Sequence, residues 1–485
     1  MISSLFLLNK ECKWVRNANI AGFLFCSLVI ITAIILTYNR PIGQDTGIIL
    51  REMESISEGY VPYKTMHLNY PPLFFYMMVG VKRLLNLTYG CYGVYLTINN
   101  IMILLISWFV FLLSRSCKVN QQVSFFAAWL CALLILWYQG CIVLFEVPCM
   151  FWGLLSAALI ATKGRNHKVL PLCGIFASFS VLTKQFGAAF ILLNALLLYM
   201  YSSNKKKSFA YYGVGVVIPI VISLWIFGYD LITSTLLNGY GTTTNALAGE
   251  DISINAKITD IFSCLWILVV QCPMSVCLMM FPFSFKAECR MPFLICLSGV
   301  ALFSLQFYFV HLAAPHYFQF FVPFIVLSFS LISQLGKKEK IVSLFIIAIP
   351  CIFTILKGVV INISPLWNYD EFSKQRQEQI LIAQEIRSYT DNDKTLWIAN
   401  TDLQMFYYLT GCKTPNMKEV GFSSGQWEIT IDKARKQISD ADYILCRYDL
   451  DVTQADYYFS SSLRKKVYSH KYKELEGNLR LYKMK

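Results

Sequence analysis

At 485 residues, with 56% hydrophobic and 15% charged side chains and a mean hydropathy of +0.51, the chain is too apolar for a soluble enzyme with an ordinary solvated surface. Its net charge of +13 does not signal a nucleic-acid partner, because Lys and Arg sit in short clusters between apolar runs, where membrane topology signals belong. Its 16 cysteines do not read as a disulfide scaffold: most lie inside apolar runs (Cys26, Cys131, Cys149, Cys173, Cys264, Cys296), no C-x-x-C pair occurs, and only Cys412 and Cys446 fall in the polar tail.

Crossing a bilayer takes roughly 20 mainly apolar residues, and runs that reach or approach this length follow one another closely. They fall at 19–38, 94–114, 121–138, 147–162, 168–183, 187–202, 208–227, 259–282, 291–310, 317–335 and 340–361. The expected fold class is an α-helical polytopic membrane protein of about eleven transmembrane helices with a small soluble α/β C-terminal domain. Residues 1–18 form a cytoplasmic N-terminus, 19–367 the transmembrane domain and 368–485 the extracytoplasmic domain. The first run lacks a small-residue cleavage site and reads as a retained anchor rather than a signal peptide.

Orientation follows from the short loops. Lys10, Lys13 and Arg16 precede the first span, and every second loop is basic: Arg115 and Lys118; Lys163, Arg165 and Lys168; Lys205, Lys206 and Lys207; Lys286 and Arg290; Lys337, Lys338 and Lys340. The opposite, outer loops hold Asp45, Glu52, Glu54, Glu58, Glu146, Lys184, Glu250, Asp251, Asp260, His311 and His316. The apolar stretch 71–86 is short and carries Lys82 and Arg83 near its end. It reads as a helix in the outer interface, because a span there would put the later basic clusters outside; a twelfth span is the alternative.

After about residue 368 charged and polar residues dominate. Helical patterns at 371–389, 401–410 (stopped by Gly411) and 429–439 alternate with strand patterns at 394–399, 442–448, 464–469 and 478–483. No Gly-rich phosphate loop is present.

The first outer loop, residues 39–93, is rich in polar and turn-forming residues: Asp45-Thr46-Gly47, then Gly59-Tyr60-Val61-Pro62-Tyr63, then Asn69-Tyr70-Pro71-Pro72-Leu73. Asp45 lies just past a span, where partial shielding from water suits a general base; a solvated loop charge or an N-cap to a helix at 46–58 reads the same way. Glu146 opens a span, as a membrane-boundary carboxylate or as a helix cap. Lys184 closes a span on the outer side, against the positive-inside trend, where it fits a lipid phosphate or a snorkelling role. His316 begins another span, and a lone interfacial histidine is also compatible with a structural role.

In this order, Asp45, the Gly59–Tyr63 strap, Tyr70-Pro71-Pro72-Leu73, Glu146-Val147-Pro148, Leu182-Thr183-Lys184 and His316-Tyr317-Phe318 resemble successive landmarks of the GT-C glycosyltransferases. The resemblance covers about residues 15–335 and is greatest to the bacterial relatives of protein mannosyltransferases and of the lipid A aminoarabinose transferase. It implies an inverting enzyme of the cytoplasmic membrane that moves a sugar from a polyprenyl-phosphate donor to a lipid, glycan or protein acceptor at the outer face. Asp45 and Glu146 would be catalytic, Lys184, His316 and Tyr317 would bind the donor phosphate, and Tyr60, Tyr63 and Tyr70 would line the substrate loop. Many relatives carry Asp-Glu where this chain has Asp45-Thr46. Some relatives use a divalent metal; the scattered carboxylates here specify none. The chemistry agrees with the resemblance, since attack at an anomeric carbon calls for a carboxylate on one side and a cation by the departing phosphate. A transporter or flippase of lipid-linked glycans is the rival reading. It requires ionisable groups at the bilayer midplane, whereas the spans are almost free of charge there, Lys357 being an exception.

Overall fold

A computed structural model describes residues 38–66, 68, 70–87, 92–140, 142–164, 166–238, 287–310, 315–334, 369–390, 394–398, 403–415, 440–447, 471–476 and 478–484, with a few positions between 27 and 35. The expected spans 259–282 and 340–361 and most of 19–38 lie outside these residues, as do Glu250, Asp251, Asp260, His311, Lys357, the helix 429–439 and the strand 464–469.

The first loop, residues 39–93, folds into two short helices among the described residues. Helix α1 (Gln44–Ser57) starts after Gly43, two residues earlier than the sequence predicts, so Asp45 sits within its first turn rather than at its N-cap. A carboxylate there faces the positive end of the helix dipole. Gly59, at φ +103°, breaks the chain direction in a conformation that an L side chain adopts only with strain. Helix α2 (Leu73–Leu84) follows Pro71-Pro72 and has 12 residues. Its rise of about 18 Å falls short of the roughly 30 Å hydrocarbon core. Lys82, which makes 71–86 ambiguous as a sequence, pairs with the buried carboxylate of Glu54 on α1.

The bundle is built from α3 (Tyr92–Ser116), α4 (Gln121–Ile135), α5 (Glu146–Lys163), α6 (Leu170–Thr183), α7 (Ala188–Tyr201), α8 (Lys205–Phe227), α9 (Ala287–Val310) and α10 (Val322–Ile332). Each of these overlaps one of the expected spans. Asn120 and Asn204 cap α4 and α8 through side-chain oxygens that accept from Val123 and Lys207 N–H. Among the described residues, three stretches, Tyr92–Ser116, Gln121–Tyr138 and Lys205–Phe227, are long and apolar enough to cross a membrane. Helix α8 turns Val217, Val221, Ile222 and Trp225 outward, an apolar exposure suited to lipid rather than water. The bundle core gathers Ile103, Ile106, Val110, Met150, Leu154, Phe190, Phe303, Phe320 and Ile325, among others, from α3, α5, α7, α9, the turn Pro315–Phe321 and α10.

The tail is a small α/β unit. Helix α11 (Tyr369–Tyr389) and helix α12 (Met405–Thr410, ended by Gly411 in the left-handed region) accompany β1 (Leu396–Ile398), β2 (Tyr443–Arg447), β3 (Tyr472–Leu475) and β4 (Leu479–Lys483). The sheet order is β1-β2-β4-β3, with β1 parallel to β2 and the other pairs antiparallel. Cys412 and Cys446 are free, buried thiols. Among the described residues, Ile382, Ile386, Leu396, Met405, Phe406 and Leu481 of the tail share one core with Ile49, Leu50, Met53, Phe74 and Phe75 of the first loop. Tail and loop therefore lie together at one end of the bundle.

Candidate active site

At the same end, α5 and α6 bring two buried opposite charges together. Glu146, in the first turn of α5, is 1% exposed, and Lys184, at the C-cap of α6, is 4% exposed. The backbone at Lys184 is extended (φ −151°, ψ 139°), and a tight 3-10 turn, Gln185–Gly187, leads into α7. The break between two helices directs the lysine inward. Its ammonium donates to Oε1 of Glu146.

Aromatic rings enclose this pair. The Lys184 ammonium lies 4.7 Å from the Tyr317 ring centre, 5.4 Å from that of Phe186 and 5.9 Å from that of Tyr70, within cation–π range. His316 packs edge-on against Tyr317 at 4.3 Å and places Nε2 3.8 Å from Glu146 Oε1. The other oxygen of Glu146, Oε2, is buried and takes no hydrogen bond among the described residues. A buried acceptor in that state costs free energy unless a partner arrives. The site is thus built with spare hydrogen-bonding capacity next to a fixed cation.

The first outer loop covers the pair. Tyr70 stacks on Phe145, the residue before Glu146, at 4.3 Å. Tyr63 donates its hydroxyl to the Tyr70 carbonyl at 2.6 Å and meets Phe227, at the end of α8, edge-on at 5.6 Å. Burial, foremost, holds the phenols of Tyr63 and Tyr70 well above the ordinary tyrosine range, so both remain neutral donors. Tyr60 is half-buried against the core shared by loop and tail.

Asp45 stands at the edge of this arrangement. Thr46 donates to the Val143 carbonyl at 3.4 Å, which ties the first turn of α1 to the segment leading into Glu146. The exposed Asp45 carboxylate takes no hydrogen bond among the described residues, but its charge acts on Tyr70, His316 and Tyr317. The structure therefore brings Glu146, Lys184, His316, Tyr317 and Tyr70 into contact and sets Asp45 within electrostatic reach of three of them. Of the other acidic residues of the loop, Glu54 pairs with Lys82 and Glu58 with Arg51 at 3.3 Å, while the buried charge of Glu52 acts on Tyr63 and Tyr70. Phe186 and Phe145 are site residues that the sequence does not single out, because an apolar residue in an apolar chain carries no distinguishing signal. Among the described residues no three His, Cys, Asp or Glu side chains gather as a metal site. With Lys184 on one oxygen of Glu146, the side chains described at this site do not by themselves form the oxygen-rich donor set that a divalent ion takes.

No protein-family model matches the chain, and neither does any curated protein. Solved structures do match in fold. ArnT from Cupriavidus metallidurans, crystallised with undecaprenyl phosphate, superposes with a TM-score of 0.59 at 12% identity, over 96% of this chain and 97% of that one. The apo form of the same protein gives 0.55 at 11% identity, over 96% and 98%. An oligosaccharyltransferase from Archaeoglobus fulgidus gives 0.43 at 12% identity, over 92% and 72%. Along nearly its whole length this chain has the fold of the ArnT structures.

Proposed function

We propose that the chain is an inverting glycosyltransferase that moves a sugar from a polyprenyl-phosphate donor to a lipid, glycan or protein acceptor at the outer face of the cytoplasmic membrane. The observation that carries this reading is the buried Lys184–Glu146 pair, walled by Tyr70, Phe186 and Tyr317 and flanked by His316. It lies beneath the loop that carries Asp45, in a chain with the fold of a protein crystallised with undecaprenyl phosphate.

Each residue then has a task. The ammonium of Lys184 faces the donor phosphate, and its attraction grows as the bond from phosphate oxygen to anomeric carbon breaks and negative charge collects on the departing phosphate. His316 supplies a second donor beside it. Glu146 holds the Lys184 ammonium aimed through its hydrogen bond, and Oε2 accepts from a sugar hydroxyl or from water. Asp45 takes the proton of the acceptor hydroxyl as that oxygen attacks the anomeric carbon from the face opposite the phosphate. The Tyr63–Tyr70 strap shields the reacting centre from solvent, which strengthens the charge interactions beneath it.

The shared core of loop and tail supports the proposed topology. Both must lie on one side of the membrane, which requires an even number of crossings between them. The ten runs from 94 to 361 satisfy this and an added span at 71–86 breaks it. We expect reporter fusions after Lys207 and after Lys485 to give cytoplasmic and external signals respectively.

The test of function is mass spectrometry of envelope glycans in a deletion strain. The expected result is loss of one sugar modification together with a build-up of its polyprenyl-phosphate donor. Unmodified glycans together with lipid-linked glycan stalled on the cytoplasmic leaflet would reject transfer in favour of transport.

A further inference from the structure

Asp45 owes little of its placement to its own side chain. The carboxylate is exposed and takes no hydrogen bond among the described residues, and a Cβ added to Gly43, two residues before it, would meet nothing within 4 Å. The backbone on either side is held differently. Three residues before Asp45, the Ile42 N–H donates to Oε1 of Gln379 at 2.9 Å, and the Gln379 amide donates back to the Ile42 carbonyl at 3.0 Å. A side-chain amide here closes a two-bond ring on the N–H and C=O of one residue, an arrangement that fixes both position and orientation. Two residues after Asp45, α1 runs so close to α12 that a Cβ on Gly47 would lie 2.6 Å from the Met405 backbone. Arg40 sits over the Phe372 ring at 5.3 Å, a third contact of the same kind. All three partners, Gln379, Met405 and Phe372, belong to the tail.

We propose that Gln379 is a positioning residue for Asp45: through the Ile42 peptide, and with the Gly47–Met405 contact on the other side, the tail fixes the first turn of α1 so that the carboxylate meets the acceptor. This rests on the reading of Asp45 as the base. A base must be held to within a fraction of an ångström of its productive place, and a displacement of about 1 Å costs on the order of 100-fold in rate. Here the holding contacts come from 337 residues away along the chain rather than from the bundle. The tail is thereby part of the transfer machinery without touching substrate.

The experiment uses the full chain returned to a deletion strain and reads the glycan product lost in that strain, the abundance of the protein, and the affinity of the purified full chain for undecaprenyl phosphate. In Gln379→Ala, product formation per molecule is expected to fall about 10- to 100-fold, with abundance and undecaprenyl phosphate affinity unchanged. Gln379→Glu, which keeps the acceptor for the Ile42 N–H and loses the donor, is expected to fall in between. Gly47→Ala, which forces α1 and α12 apart, should reproduce the selective loss. Wild-type turnover in Gln379→Ala overturns the proposal, and so does a loss that merely follows reduced abundance or affinity. Asp45→Asn in the same strain separates this from the reading beneath it: an active Asp45→Asn removes Asp45 as base, whereas an inactive one beside a fully active Gln379→Ala removes only the tail's part.

Discussion

Among the described residues two Lys–Glu pairs have a buried carboxylate, and they are built to opposite ends. Lys82–Glu54 joins the two helices of the first outer loop, with the carboxylate 1% and the lysine 14% exposed. Lys184–Glu146 joins α5 and the α6–α7 break, with side chains 1% and 5% exposed. Around Lys82–Glu54 the surroundings are those of a fastener, and the lysine reaches toward solvent. Around Lys184–Glu146 stand three aromatic rings and a histidine, and one carboxylate oxygen has no partner among the described residues. Two buried charges repay their desolvation only when every remaining lone pair is satisfied. A pair that falls short of this in its resting state is poised for an external partner, and the fastener is not.

The comparison is sharpened most by removing the carboxylate proposed to act with the Lys184–Glu146 pair. Asp45→Asn should lower transfer by about 10²- to 10⁴-fold, the usual worth of a general base, with normal abundance and membrane insertion. Next in size is Lys184→Ala, which leaves the Glu146 charge buried and unpaired. It should cost about 3–5 kcal/mol in stability and raise the donor concentration needed for transfer. The double variant Lys184→Met with Glu146→Gln should recover the stability and stay inactive. Recovery of both would make the two pairs equivalent and break the comparison. Tyr63→Phe deletes one hydrogen bond to the Tyr70 carbonyl and should cost about 1 kcal/mol, with a modest loss of activity as the strap loosens.

The smallest effect is expected at the fastener. Burial outweighs the Lys82 charge at Glu54 and raises its pKa above the ordinary 4.5. The folded chain therefore binds this proton more tightly than the unfolded chain. The stabilisation is fully present below 4.5 and is lost as pH rises through the folded value. Glu54→Gln, which cannot lose a proton, should flatten that part of the pH dependence of thermal unfolding. At neutral pH it should cost less than about 1 kcal/mol and leave transfer intact.

What the sequence made legible follows the strength of each local signal. Apolar runs place α3 to α10 within a few residues, because a spanning segment must be apolar along its length. The stops at Gly59 and Gly411 were visible as glycines at the ends of periodic segments, and both adopt positive φ. The start of α1 was misplaced by two residues, since Gly43 rather than a polar side chain sits at the N-cap. The order of Asp45, Glu146, Lys184 and His316-Tyr317 was readable as a series of landmarks along the chain. Their enclosure by Phe186 and Phe145 was not, because only the fold distinguishes these rings from lipid-facing ones. The change in composition after residue 368 marked a tail, but composition says nothing about which surface its apolar face meets. That Gln379 and Met405 bracket Asp45 depends on contacts between residues more than 300 positions apart, and no local pattern encodes them.

The central claim is that Asp45 and Lys184 face one site that receives a lipid phosphate. It is tested most directly by an experimental map of the full chain with undecaprenyl phosphate bound. The phosphate is expected within about 3 Å of the Lys184 ammonium, with His316 beside it and Asp45 opening onto the same space. A phosphate bound elsewhere, or Asp45 and Lys184 separated by packed helices, would contradict it.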